Sequence, residues 1–160
     1  IAGIPVPVII LIIVFLLAHY ILTQTSYGRS VYAVGGNREA ARLSGIRVKT
    51  SEFLVYTLNG LMCGMAGLIL TARLGSAQST SGTGIEMDAI AAVILGGTSL
   101  SGGVGFVLPT VVGAMIMGII DNILTLMNVN PHATNIVKGA VILIAVLVDK
   151  KVKDLSAKAE

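Results

Sequence analysis

The side chains that could do chemistry in this sequence are few, and they stand far apart along the chain. Ser99 or Ser101 could serve as a nucleophile with His132 as its base, and Asp88 with Asp121 could form a pair of acids. Either arrangement would hydrolyse peptide bonds, provided that the reacting groups approach within about 3 Å of each other. No local sequence pattern around either aspartate is typical of a catalytic acid. These residues alone therefore do not establish a catalytic site.

Metal and nucleotide sites lack the residues that such sites need. His19 and His132 are isolated, and Cys63 is the single cysteine, so we expect no metal site and no internal disulfide. The glycine-rich run GGTSLSGGVG contains no lysine, which a phosphate-binding GxxxxGK[ST] loop requires. We therefore expect this chain to bind no cofactor and to have no enzymatic activity of its own.

The composition indicates a membrane protein. Of the 160 residues, 54% are hydrophobic and 12% are charged, and the mean hydropathy is +0.89. Soluble domains carry about a quarter charged residues, so this chain lacks the polar surface that such a domain exposes to water. The cations behind the net charge of +3 are spread over the whole chain, and 4% of the residues are aromatic. We therefore expect membrane lipid, and no nucleic acid, as a partner.

The apolar runs predict an all-α fold, a polytopic membrane helix bundle with about five membrane segments. About 20 apolar residues are needed to cross the hydrocarbon core of a bilayer as a helix. The predicted segments lie near residues 4–22, 52–72, 85–97, 106–122 and 133–149, and the third of them is short. A loop of residues 23–51 follows the first span, and a charged tail of residues 150–160 follows the last.

The distribution of cations predicts the orientation of these spans. The loop 23–51 carries five cations against the lone acid Glu39, and the tail is rich in lysine, whereas the segments 73–88 and 121–132 hold one cation between them, Arg73. Lys and Arg are concentrated on the cytoplasmic side of membrane proteins. We therefore predict that the loop 23–51 and the C-terminus are cytoplasmic.

A glycine- and serine-rich break at residues 96–105 interrupts the apolar sequence after the short helix. Unpaired backbone at membrane depth is tolerated only inside protein or beside water, and broken helices line substrate pathways in transporters. One interpretation is therefore a break that lines a cavity. The other is a tight cytoplasmic turn between two ordinary spans, and the sequence favours neither.

The loop 23–51 contains a short segment with the marks of a capped helix. Asn37 is a good N-cap, Glu39 suits the positive end of the helix dipole, Arg42 lies toward the other end, and Gly45 can adopt the left-handed conformation that ends a helix. Such a helix outside the membrane could dock into a groove on a partner, or it could pack on its own bundle. The candidate docking residues are Asn37, Arg38, Glu39, Ala40, Ala41, Arg42, Leu43, Ser44 and Gly45.

Other polar residues within the apolar sequence are candidates for a pathway or its outer mouth, namely Asn59, Glu86, Asp88, Thr98 and Ser99. Each has a structural interpretation as well. Asn59 could form an interhelical hydrogen bond, and Glu86 and Asp88 could cap the short helix. Lys138 enters the last span from the side on which Asp121 ends the fourth, so we predict that the two form a structural ion pair.

Several separated motifs resemble a known family in the same order. GGNREAARLSGI at residues 35–46 is followed by a span, then by ARLGSAQ, by GTGIEMDAIAAVILGGTSLSGG and by a last helix that contains VLVDK. Together they resemble the membrane subunit of ribose-type ATP-binding-cassette importers. The resemblance covers residues 27–150 of this chain, which would correspond to the C-terminal half of such a permease. The earlier spans of that permease are absent here, so we expect this stretch alone not to complete a pathway.

The resemblance implies partners, a location and a role. In the family, residues matching 35–46 contain a coupling helix that sits in a cleft of a cytoplasmic ATPase, which binds ATP and Mg. Two permease copies, here expected as a homodimer, form the pathway, and a periplasmic binding protein delivers the sugar. The implied location is the bacterial cytoplasmic (inner) membrane. A permease for branched-chain amino acids or nucleosides is the main alternative, and an intramembrane protease is a remote one, since the predicted topology separates Ser99 from His132.

Overall fold

The computed structural model of the protein describes residues 5–78, 80 and 82–157, and within these residues it contains helices and turns but no strand. The described helices are α1 (Val6–Gln24), α2 (Ser26–Gly36), α3 (Arg38–Leu43), α4 (Val48–Leu74), α5 (Ile85–Leu95), α6 (Val107–Leu126) and α7 (Pro131–Ala157). The all-α fold that the apolar runs predict is confirmed.

Three helices are long and apolar enough to cross a membrane among the residues that the structure describes. They are α1, α4 and α6, and α7 adds a shorter apolar stretch, Ala133–Leu147. Helix α5 has 11 residues, which at 1.5 Å each extend about 16 Å, roughly half of the hydrocarbon thickness. These apolar helices are those of a multi-pass membrane protein.

The chain divides into two compact units, Ile1–Thr83 and Gly84–Glu160. The first unit contains a helix that the sequence analysis missed, because α2 occupies eleven residues of the predicted loop 23–51. Its N-cap is Thr25, whose hydroxyl accepts a hydrogen bond of 3.2 Å from the Gly28 amide. Gly28 is buried, and a Cβ there would lie 2.7 Å from the Ile21 carbonyl oxygen. The absence of a side chain at Gly28 therefore allows the close corner between α1 and α2.

In the second unit, α5 packs against α6 and α7 around buried Ala91, Ala92 and Met117. Glycines allow the backbones of α5 and α6 to approach closely. A Cβ on Gly96 would lie 2.5 Å from the Thr110 Cα, and a Cβ on Gly113 would overlap the Ala92 carbonyl oxygen. Small residues allow this kind of close helix packing inside membranes.

The break at residues 96–105 is a compact turn in this structure. The Ser99 amide donates to the Val104 carbonyl at 2.9 Å, and the Gly102 amide donates to the Ser99 carbonyl at 3.1 Å. Gly97, Gly102 and Gly103 have positive φ angles of 75°, 87° and 76°, which glycine adopts without steric cost. The turn thus provides partners for much of its own backbone, as a tight connection between α5 and α6 must.

Helix α7 continues through residue 157, eight residues past the predicted end of the last span. The sequence from Lys150 to Ala157 has no glycine or proline, so the helix need not stop where the apolar run stops. The end of the apolar run therefore does not mark the end of this helix.

Candidate functional site

Helix α3 has a cap at each end, formed by the residues that the sequence analysis identified. The Asn37 Oδ1 accepts a hydrogen bond of 3.0 Å from the Ala40 amide. At the other end, Gly45 has φ 84° and donates to the Arg42 carbonyl at 3.0 Å, while the Ile46 amide donates to the Ala41 carbonyl at 3.0 Å. This pair of bonds is a Schellman motif. The caps explain how six residues hold a helical conformation at this position.

The two sides of α3 differ in exposure. Ala41 is 4% exposed and faces the rest of the first unit, whereas Leu43 is 83% exposed. The side chains of Glu39 and Arg42 are each 69% exposed, and they form an ion pair at 3.3 Å. One side of α3 therefore packs on its own unit, and the other presents a leucine beside two opposite charges. Such a surface can contact a second protein.

A two-pronged ion pair joins α3 to the start of α4. Arg38 Nε lies 3.0 Å from Glu52 Oε1, and Arg38 Nη2 donates to Glu52 Oε2 at 3.0 Å. Arg38 belongs to the predicted docking segment, and its partner Glu52 was not predicted. The two residues are fourteen positions apart, and no helical spacing could have indicated their contact because the direction of the turn between α3 and α4 was unknown.

A charge cluster lies among α5, α6 and α7. Lys138 Nζ is 2.6 Å from Asp88 Oδ1 and 2.9 Å from Asp121 Oδ1, and the Lys138 side chain is 13% exposed. Both Oδ1 atoms are enclosed by protein. The structure thus brings together Lys138 and Asp121, as expected for their ion pair, and adds Asp88, which the sequence analysis considered for the outer mouth.

Within the second unit, the other candidate pathway residues lie at different ends of α5. Glu86 accepts a hydrogen bond of 3.1 Å from the Gly84 amide at the beginning of α5, whereas Thr98 and Ser99 follow its opposite end, about 16 Å away along the axis. Ser99 is 7% exposed within the turn. Asn59 lies exposed on α4 in the other unit.

The geometry gives little support to peptide hydrolysis. The Ser99 Oγ accepts a hydrogen bond of 3.1 Å from the Ser101 amide, and the side chain of His132 lies outside those that the structure describes. A catalytic pair of carboxyl groups shares a proton between the two acids, whereas Asp88 and Asp121 each face the Lys138 ammonium. Among the described residues, no group of three or more His, Cys, Asp or Glu side chains could hold a metal ion.

An open groove of about 380 Å³ lies along α6 and is lined by Met115, Gly118, Ile119, Asn122 and Ile123. None of the candidate pathway residues lines it. Its lining is mostly apolar, and Asn122 supplies the polar side chain. The groove and the charge cluster use different residues of α6, so the cluster does not form the wall of this groove.

Comparison with known proteins identifies the family. The family described as the permease component of branched-chain amino acid transport systems matches residues 1–146. The ribose import permease protein RbsC of Escherichia coli (strain K12) is 55% identical over 149 residues, which are 93% of this chain and 46% of that protein. RbsC of Bacillus subtilis (strain 168) is 50% identical over the same shares.

The xylose transport system permease protein XylH of Escherichia coli (strain K12) is 48% identical over 151 residues, 94% of this chain and 38% of XylH. The chain thus spans less than half of the length of each of these relatives. No solved structure matches the chain. The family match over residues 1–146 and these similarities give one conclusion: the chain belongs to the membrane-permease family of the branched-chain amino acid transport systems, and within that family it is similar to sugar permeases.

Proposed function

We propose that the protein is the membrane-spanning permease subunit of an ATP-driven, binding-protein-dependent importer of a ribose-like monosaccharide. The observation that carries this proposal is helix α3, which is capped at both ends, buried at Ala41 against its own unit and exposed at Leu43. A short rigid helix of this kind is suited to dock on a partner protein whose conformation changes. The similarity to ribose and xylose permeases supports a sugar as the solute.

The proposed partner at α3 is a cytoplasmic ATP-binding-cassette ATPase, which would bind ATP and Mg. Leu43 would enter an apolar pocket of the ATPase, and Glu39 and Arg42 would meet charges at the rim of that pocket. Nucleotide has to bind one conformation of the ATPase more tightly than another, since a ligand shifts an equilibrium only through such a difference in affinity. The resulting motion of α3 would move α4, and the permease would change between its outward-open and inward-open conformations.

The complete transporter would contain a second permease copy, expected as a homodimer, and a periplasmic binding protein that delivers the sugar. The loop 23–51 and the C-terminus would face the cytoplasm of a bacterial cell, with the permease in the cytoplasmic membrane. The excess of cations in that loop supports this orientation. Asn59, Glu86, Thr98 and Ser99 stay candidates for contact with the passing sugar.

A permease for branched-chain amino acids is the second candidate, and the description of the family favours it. The sugar permeases at 48–55% identity favour the first. The two candidates differ in the solute that the binding protein presents. Uptake of labelled ribose, xylose and leucine by vesicles that contain the complete transporter and its binding protein distinguishes them.

The experiment that tests the proposed function combines purification with transport. The complete permease is purified in mild detergent, and retention of a cytoplasmic ATPase is measured. The transporter is then reconstituted, and ATP-dependent sugar uptake is compared with ATP hydrolysis. Reversing the charge of Glu39 or Arg42 should lower uptake while membrane insertion stays intact. A permease that retains no ATPase, or whose uptake does not depend on ATP, would refute the proposal.

A further inference from the structure

The ion pair between Arg38 and Glu52 connects α3 to α4, so it affects whether the two helices move together. Arg38 is the first residue of α3, and Glu52 lies in the second turn of α4. Two nitrogens of the guanidinium each meet a different oxygen of the carboxylate, both at 3.0 Å. A two-pronged contact of this kind fixes the orientation of both side chains as well as their distance.

A second attachment holds the opposite end of α3. The turn of residues 44–47 leads directly into α4, and the Ile46 amide donates to the Ala41 carbonyl at 3.0 Å. Ala41 and Val48 are buried at 4% and 7% exposure. The first residue of α3 is joined to α2 through Asn37, whose amide donates to the Ala33 carbonyl at 3.1 Å. Without the ion pair, α3 would be connected to α4 at the turn alone, and its first residue, about 8 Å away along the helix, could move relative to α4.

The ion pair at Glu39 and Arg42 has a different arrangement. Both of its residues belong to α3, three positions apart, and they meet through one pair of atoms at 3.3 Å. It cannot transmit force to α4 because both partners move together. All three side chains are exposed, Arg38 at 64% and Glu39 and Arg42 at 69% each. Arg38 differs from the other two in its partner, since its guanidinium reaches a carboxylate on α4.

We propose that Arg38 and Glu52 are positioning residues that make α3 and the cytoplasmic end of α4 move as one body, so that displacement of α3 reaches the membrane instead of being absorbed by the turn 44–47. This inference rests on the proposed function and assigns Arg38 to transmission within the permease, in place of contact with the ATPase. Neither residue touches the transported solute in this account.

The test uses the complete transporter, with its ATPase and binding protein, reconstituted in vesicles. The variants are Arg38→Glu, Glu52→Arg and the double exchange that restores opposite charges. The quantity measured is the number of sugar molecules taken up for each ATP hydrolysed. Each single variant should lower this ratio about fivefold, the change that a coupling of about 1 kcal/mol produces, and the double exchange should recover most of the loss.

Two control variants match the changes in charge. Arg29→Glu reverses a cation on α2 whose guanidinium donates to Ser26 of the same helix at 2.8 Å. Thr50→Arg adds a cation at an exposed position two residues before Glu52. Both controls should retain the uptake ratio of the unmodified protein. A loss in the controls equal to that in the test variants would show a general effect of charge and would overturn the proposal.

Three further outcomes overturn the proposal and leave the proposed function standing. Single variants with an unchanged ratio would show that the ion pair transmits nothing. Hydrolysis and uptake that fall together, with a lower melting temperature and an unchanged ratio, would show a purely structural role. Loss of the ATPase from Arg38→Glu alone, without recovery in the double exchange, would show that Arg38 contacts the ATPase. By contrast, an unmodified permease that retains no ATPase refutes the proposed function itself.

Discussion

Lys138 Nζ lies 2.6 Å from Asp88 Oδ1, and the same ammonium reaches Asp121 on a different helix at 2.9 Å. One cation thus compensates two carboxylates and ties α7 to both α5 and α6. Removing one member of a buried ion pair costs about 3–5 kcal/mol when the partner stays charged. The aspartate side chains are 25% and 35% exposed, which places this cluster toward the low end of that range.

Lys138→Met should therefore lower the melting temperature of the purified permease by several degrees. Asp88→Asn and Asp121→Asn should each have a smaller effect, because one lysine–aspartate pair stays intact in either variant. Thermal unfolding in detergent measures all three. If Lys138→Met has the melting temperature of the unmodified protein while Asp88→Asn is strongly destabilised, Lys138 does not hold the cluster together.

Gly113 lies where α6 approaches α5 most closely, and a Cβ there would overlap the Ala92 carbonyl oxygen. Gly113→Ala should destabilise the protein by about 1–3 kcal/mol, since overpacking forces the helices apart. Gly118 on the same helix is the matched control, because a Cβ there would meet no atom within 4 Å. Thermal unfolding should show a loss for Gly113→Ala and none for Gly118→Ala. Equal effects would contradict the packing described for α5 and α6.

The sequence predicted much of the fold because the signals for those parts are local. The apolar runs predicted the all-α fold, and Asn37 and Gly45 indicated both ends of α3. Helix α2 was missed because residues 23–51 were predicted as one cation-rich loop, and the close corner between α1 and α2 at Gly28 depends on the packed structure. The partners Glu52 and Asp88 were missed because each contact joins different helices, and only the packed structure determines such contacts.

The Asn37 N-cap should stabilise α3 by about 1 kcal/mol. In Asn37→Ala, the Ala40 amide loses the hydrogen bond of 3.0 Å to the Asn37 side chain, so hydrogen exchange across residues 38–43 should become about fivefold faster. Asn37→Ser retains an acceptor and is the matched control. Exchange in Asn37→Ala as slow as in Asn37→Ser would show that tertiary packing alone holds α3.

The predicted orientation places the turn 96–105 and the segment 73–88 on opposite sides of the membrane. Ser101 and Gln78 are exposed positions in these two segments. In a Cys63→Ser background, Gln78→Cys should react with a membrane-impermeant thiol reagent in intact cells, and Ser101→Cys should react only after the cells are opened. The reverse pattern would refute the orientation while leaving the fold unchanged.

The central claim is that the exposed side of α3 docks on a cytoplasmic ATPase, and cross-linking at Leu43 tests it most directly. Leu43 is 83% exposed, so Leu43→Cys in the Cys63→Ser background presents a thiol on that side. Phe53→Cys, at a position 69% exposed on α4, is the control. A short cross-linker with a thiol-reactive end and a photoreactive end, applied to the complete transporter and illuminated, should join Leu43→Cys to the ATPase, and the control should form no cross-link to it. An assembled transporter in which Leu43→Cys forms no cross-link, or reacts from outside the cell, would contradict the account.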